Sequence, residues 1–185
     1  MSRFATAIFG CGCFWHKEHL FGRLHGVKDT RVGFMGGWAH RPTYQEVCAK
    51  GTGHAEVVEV TYDTHETRFP QLLKAFFSFH DATRDRTVKG GQYRSVVFYR
   101  KAKERIIAER AIELLRQHGV DVTTQVLPAQ IFWEAEQAAL PSAASARPSA
   151  PRLPLPDVAA LNAMSYPEAA ALDLSAAPAV MTPSM

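Results

Sequence analysis

Residues Phe4 to Trp15 read FATAIFGCGCFW. The apolar run Phe4–Phe9 stops at Gly10, which predicts a buried strand. Beyond Cys13, apolar residues recur at Phe14, Trp15, Leu20, Phe21 and Leu24, with Gly26 past the end. That spacing predicts a helix over Phe14–Leu24. The stretch is therefore a strand-to-helix turn, the opening half of a β-α-β unit.

The rest of the chain extends the pattern. Val27–Met35 reads as a strand before the pair Gly36-Gly37, and the β-branched run Ala55–Tyr62 reads as another. Phe69, Leu72, Leu73, Phe76 and Phe77 repeat at helical spacing, with Pro70 acceptable in a first turn. Ser95–Tyr99 is a strand, Lys101–His118 a long amphipathic helix closed by Gly119, and Thr123–Leu127 a last strand. The order β-α-β-β-α-β, then helix and strand, predicts an α+β fold. Its core is a ferredoxin-like split β-α-β motif, with helices on one face of a mainly antiparallel sheet.

Composition divides the chain near residue 140. Eight of eleven prolines and thirteen alanines lie in 141–185, and the last lysine is Lys103. We expect a globular domain over 1–140 and a disordered, low-complexity Ala/Pro-rich tail over 141–185, with a weak helix around Tyr166–Leu174. The 46% hydrophobic content is ample for one core. The net charge of +3 comes from interspersed residues, so no basic face points to nucleic acid. The start lacks a signal-peptide pattern, and no apolar stretch approaches a membrane span. Three cysteines, an odd number, do not suit a secreted disulfide scaffold. A reducing, cytoplasmic setting is expected.

Cys13 falls where a strand gives way to a helix N-terminus, whose free amides and dipole favour a thiolate. The dipole contributes about 0.3–1 kcal/mol, well under one pKa unit, so activation needs a further partner. From these residues alone three readings stay open: a buried core thiol, a metal or redox sensor using Cys11 and Cys13 with His16 and His19, and a nucleophile beside an apolar wall. A CxC without a second ligand pair is weak evidence for zinc.

Gly12-Cys13-Phe14-Trp15 resembles the active-site signature of the A-type peptide methionine sulfoxide reductases. The resemblance continues in order through Gly33-Phe34-Met35-Gly36-Gly37, Pro42-Thr43-Tyr44, Glu46-Val47-Cys48, Gly53-His54-Ala55-Glu56-Val57-Val58, His80-Asp81 and Gln92-Tyr93-Arg94-Ser95. It implies reduction of methionine S-sulfoxide, free or in oxidised proteins, through a Cys13 sulfenic acid. It makes Glu56 the acid, Tyr44 and Tyr93 the hydroxyls on the sulfoxide oxygen, and Phe14 and Trp15 the seat of the S-methyl group. His54 and Arg94 are expected to be structural.

Two departures stand out. Where the family carries an Asp about five residues before the tyrosine, this chain has Val88, and Asp85 is the only acid nearby. The family's closing element appears as Phe132-Trp133-Glu134-Ala135-Glu136-Gln137-Ala138, without its His. A catalytically impaired domain of the same fold is therefore the competing expectation. The tail holds no cysteine, so a resolving thiol would be Cys11 or Cys48, or an external reductant acts directly. A Cys11–Cys13 bridge would close only in strained geometry. In every case the implied partner is a thioredoxin- or glutaredoxin-type thiol reductant, with no bound cofactor and no metal.

Overall fold

The computed structural model describes residues 2–88 and 90–135. The tail expected from 141 and the helix expected over Tyr166–Leu174 lie outside them. The strands are β1 (Phe4–Cys11), β2 (Val27–Met35), β3 (Ala55–Asp63), β4 (Ser95–Tyr99), β5 (Gln125–Pro128) and β6 (Trp133–Glu134). The helices are α1 (Phe14–Gly22), α2 (Tyr44–Cys48), α3 (Phe69–Ser78) and α4 (Ala102–Gln117). The strands form one sheet in the order β5-β4-β1-β3-β2-β6, antiparallel throughout except for the parallel pair β4–β5. Strands with helices between them make an α+β fold.

Several boundaries move for physical reasons. β1 continues two residues past Phe9, because Gly10 and Cys11 pair with Val96 and Ser95. α1 ends at Gly22 and is capped by Arg23, whose amide bonds Leu20 O at 3.3 Å, so Leu24 packs in the core from outside the helix. β5 shifts to Gln125–Pro128 to match Val96–Tyr99; at the sheet edge its proline is tolerated. Two elements were not expected from apolar periodicity. α2 is too short to show a period, yet its capping box is complete: Glu46 N donates to Thr43 Oγ1 at 3.3 Å, and Thr43 N donates to Glu46 Oε2 at 2.8 Å. β6 has two residues, paired with Gly33 and Phe34.

α1, α3 and α4 bury their apolar stripes on one face of the sheet. At its centre the Phe9 ring stacks on Phe21 and Phe76, both at 5.2 Å, and on Phe69 at 6.0 Å. The other face buries Ile8, Met35, Val57, Val96 and Phe98 beneath Leu127, Ala129 and Phe132. Gly33 admits that cover, since a Cβ there would meet Phe132 Cζ at 2.6 Å.

Removing the Phe9 ring leaves three aromatic neighbours facing a void. Phe9→Ala should destabilise the fold by about 3–5 kcal/mol. Phe4→Ala, at the exposed end of the same strand, should cost less than about 1 kcal/mol. Urea unfolding of both variants checks the difference.

Candidate active site

β1 ends at Cys11 and α1 begins at Phe14, so two residues make the turn. Gly12 takes φ +100°, the left-handed region that favours glycine. Cys13 is the helix N-cap with φ −59° and ψ 118°; its side chain makes no capping bond and is exposed. The first amide of α1 is satisfied from across the sheet instead: Phe14 N donates to Glu56 Oε2 at 3.1 Å. Gly10 lets β1 approach closely enough, since a Cβ there would lie 2.7 Å from Val96 Cγ1 and 3.1 Å from Glu56 O.

Glu56 lies near the start of β3 on the face that carries Val58 and Val60, and is 1% exposed. Its Oε1 accepts from Gln92 Nε2 at 3.2 Å, and its own amide donates to Gln92 O at 2.8 Å. Burial pushes its carboxyl up to about 7, against the opposing pull of the Phe14 and Gln92 hydrogen bonds. The group therefore holds a proton well above the usual carboxylate range, bonded to the amide that follows an exposed thiol.

Tyr44 and Cys48 open and close α2, four residues apart and so on one helix face. The neighbouring Cys48 thiol, and after it burial, raise the pKa of the Tyr44 hydroxyl above the usual tyrosine range. Gln92 Nε2 lies 3.8 Å from the same sulfur. Tyr93, partly exposed, has its pKa raised by burial and then by the charges of Glu56, Cys13 and Cys48. The structure thus brings Cys13, Glu56, Tyr44, Tyr93 and Cys48 to one end of the sheet. Gln92, given no role from sequence, is the amide that joins two of them.

The aromatic pair divides its work. Phe14 is buried, with its ring 4.5 Å from Trp15, 5.6 Å from Phe34 and 6.3 Å from Tyr44. Trp15 is half-buried and rests edge-on against it. Cys11 faces the other way, into the core with Ala7 and Phe9, where burial pushes its thiol up to about 12. One thiol in the core and one at the surface are poorly placed to share a metal ion.

Other sequence-marked residues hold the frame. His54 Nδ1 accepts from Gly37 N at 3.1 Å, while Nε2 bonds Ala39 O at 2.8 Å. His80 ties α3 to β4 through Phe76 O at 2.8 Å and Ser95 Oγ at 2.7 Å, and burial lowers its pKa to about 4, which keeps it neutral. Arg94 Nη1 donates to Gly91 O at 2.9 Å. Asp85 is exposed and accepts from Thr87 N at 2.8 Å and Thr87 Oγ1 at 2.6 Å, closing a local turn. Val88 is exposed. A groove of about 940 Å³ between Tyr62, Arg68, Lys74, Lys101 and Ile107 lies elsewhere, lined by none of the site residues above.

Comparison with known proteins agrees with this geometry. The family described as peptide methionine sulfoxide reductase matches residues 5–139. The peptide methionine sulfoxide reductase MsrA of Acidobacterium capsulatum is 46% identical over 139 residues, spanning 72% of this chain and 89% of that protein. Among solved structures, methionine sulfoxide reductase A of Corynebacterium diphtheriae is 34% identical with a TM-score of 0.63, covering 74% of this chain and 72% of its own. Mxr1 from Saccharomyces cerevisiae in reduced form is 27% identical with a TM-score of 0.66, covering 73% and 81%.

A carboxyl whose pKa is raised in the folded state binds more protons there than in the unfolded chain. Stability should therefore fall as pH rises from about 4.5 to about 7, then level off, a total cost of about 3 kcal/mol. Glu56→Gln removes the titration. Its melting temperature should approach or exceed that of the parent increasingly across this window, relative to their difference at pH 4. Parallel melts between pH 4 and pH 8 check it.

Proposed function

The chain belongs to the peptide methionine sulfoxide reductase family and reduces methionine sulfoxide, and from that premise we propose that Cys13 is the nucleophile and Glu56 the acid. The observation that carries this reading is the exposed Cys13 beside a buried carboxyl that is bonded to the very next amide, Phe14 N, at 3.1 Å. The Cys13 thiolate attacks the sulfoxide sulfur of the S epimer, and Glu56 gives its proton to the oxygen. The sulfur of methionine gains two electrons, Cys13 loses two, and the oxygen ends on Cys13 as a sulfenic acid. Tyr44 and Tyr93 hydrogen-bond the sulfoxide oxygen.

Trp15, held by the buried Phe14 ring, seats the S-methyl group; burial of one methyl is worth about 0.8 kcal/mol, and an aromatic face also suits sulfur. An external thiol reductant of thioredoxin or glutaredoxin type returns the enzyme to its starting state, and no bound cofactor takes part. Substrates are methionine S-sulfoxide and oxidised proteins, whose repair is the biological role, in the cytoplasm. The strand order β4-β1-β3-β2 supports a ferredoxin-like split β-α-β core within residues 1–140.

The test is a single turnover without added reductant, using separated S and R epimers of a methionine-sulfoxide peptide. One equivalent of methionine should form from S alone, and none with Cys13→Ser. Glu56→Gln should slow the step by about 10²–10⁴-fold. The parent rate should fall above about pH 7 as Glu56 loses its proton, and this fall should vanish in Glu56→Gln. A folded protein that yields no methionine would instead fit a disabled or thiol-sensing domain.

A further inference from the structure

We propose that Cys48 is the thiol that resolves oxidised Cys13, an inference that rests on Cys13 being the nucleophile. The chain has three cysteines, so only Cys11 and Cys48 can act within it. Cys11 is 2% exposed, and its backbone pairs with Ser95 in the β1–β4 ladder. Its side chain points among Ala7 and Phe9, away from the surface where Cys13 stands. To reach Cys13 it would have to leave the core and unpair the end of a central strand.

Cys48 meets neither obstacle. It is the last residue of α2, partly exposed, and the turn behind it is open: a Cβ on Gly51 would meet nothing within 4 Å. Its sulfur already takes part in the site: it lies 3.8 Å from Gln92 Nε2, one helical turn from Tyr44, whose hydroxyl it perturbs. The same Gln92 nitrogen holds Glu56 Oε1 at 3.2 Å, and Glu56 Oε2 holds the amide next to Cys13 at 3.1 Å. Tyr93 is near enough to both thiols for their charges to raise its pKa. A hydrogen-bonded path of three side-chain and backbone groups therefore joins the two cysteines, and Phe14 stacks on Tyr44 beside it.

The step balances without an outside oxidant. The Cys48 sulfur attacks Cys13 Sγ of the sulfenic acid, the S–S bond forms, and the Cys13 S–O bond breaks. The hydroxide leaves as water with the proton from the Cys48 thiol. Both oxidising equivalents come from the methionine sulfoxide. The external dithiol then reduces a Cys13–Cys48 disulfide rather than a sulfenic acid.

The test counts thiols and methionine in one turnover of the full chain on a methionine-sulfoxide peptide, followed by non-reducing peptide mapping. Two thiols should disappear per methionine, with the Cys13 and Cys48 peptides linked. Cys11→Ala should still lose two. Cys48→Ser should lose only one and leave a sulfenic acid that dimedone captures on Cys13. Loss of a single thiol in the parent, or a bridge to Cys11, would overturn the assignment to Cys48 and leave the reductase reading intact. No methionine from the parent would overturn both.

Discussion

One hydrogen bond fixes the site: the first amide of α1 donates to a carboxyl oxygen on a central strand of the sheet. A helix N-terminus needs acceptors for its free N–H groups, and the N-cap side chain is the usual source. Here the N-cap is a cysteine that supplies none, and Glu56 takes over from β3. That substitution leaves the sulfur unencumbered at the surface while anchoring its backbone to the most buried part of the fold. It also puts a titrating group beside the thiol by construction, since whatever caps the helix must sit there.

The same bond sets a conflict that the surrounding residues moderate. Burial drives Glu56 towards its neutral form, while Phe14 N–H and the Gln92 amide favour its charge. The outcome, a carboxyl poised near neutrality, is what proton donation at physiological pH requires. Gln92 has a second consequence, because its side-chain nitrogen lies between Glu56 and the Cys48 sulfur. The acid and a second thiol are therefore oriented by one amide.

The regular elements were legible because their periods are long and their ends marked. Val27–Met35 and Ser95–Tyr99 match the observed strands, and the helix from Phe69 follows from five apolar residues on one stripe. What escaped was short. Five residues of α2 give no period, although Thr43 and Glu46 spell its capping box, and two residues of β6 cannot alternate. The candidate site was legible through its motifs, which marked Cys13, Glu56, Tyr44 and Tyr93, gathered by the fold at one end of the sheet, but not how they are joined. The role of Gln92 and the opposite facings of Cys11 and Cys13 depend on three-dimensional placement, which spacing along one chain does not carry. The motif likewise could not show that Phe14 supports Trp15 from beneath.

The burial of Cys11 has a use apart from chemistry. A sulfur inside a central strand meets a reagent only when that strand opens, whereas Cys13 stands in solvent. Slow modification of Cys11 by a thiol reagent would then report the opening free energy of the sheet, residue-resolved and under native conditions. The protein carries its own unfolding clock, and it runs on a sulfur that its proposed catalytic cycle leaves untouched.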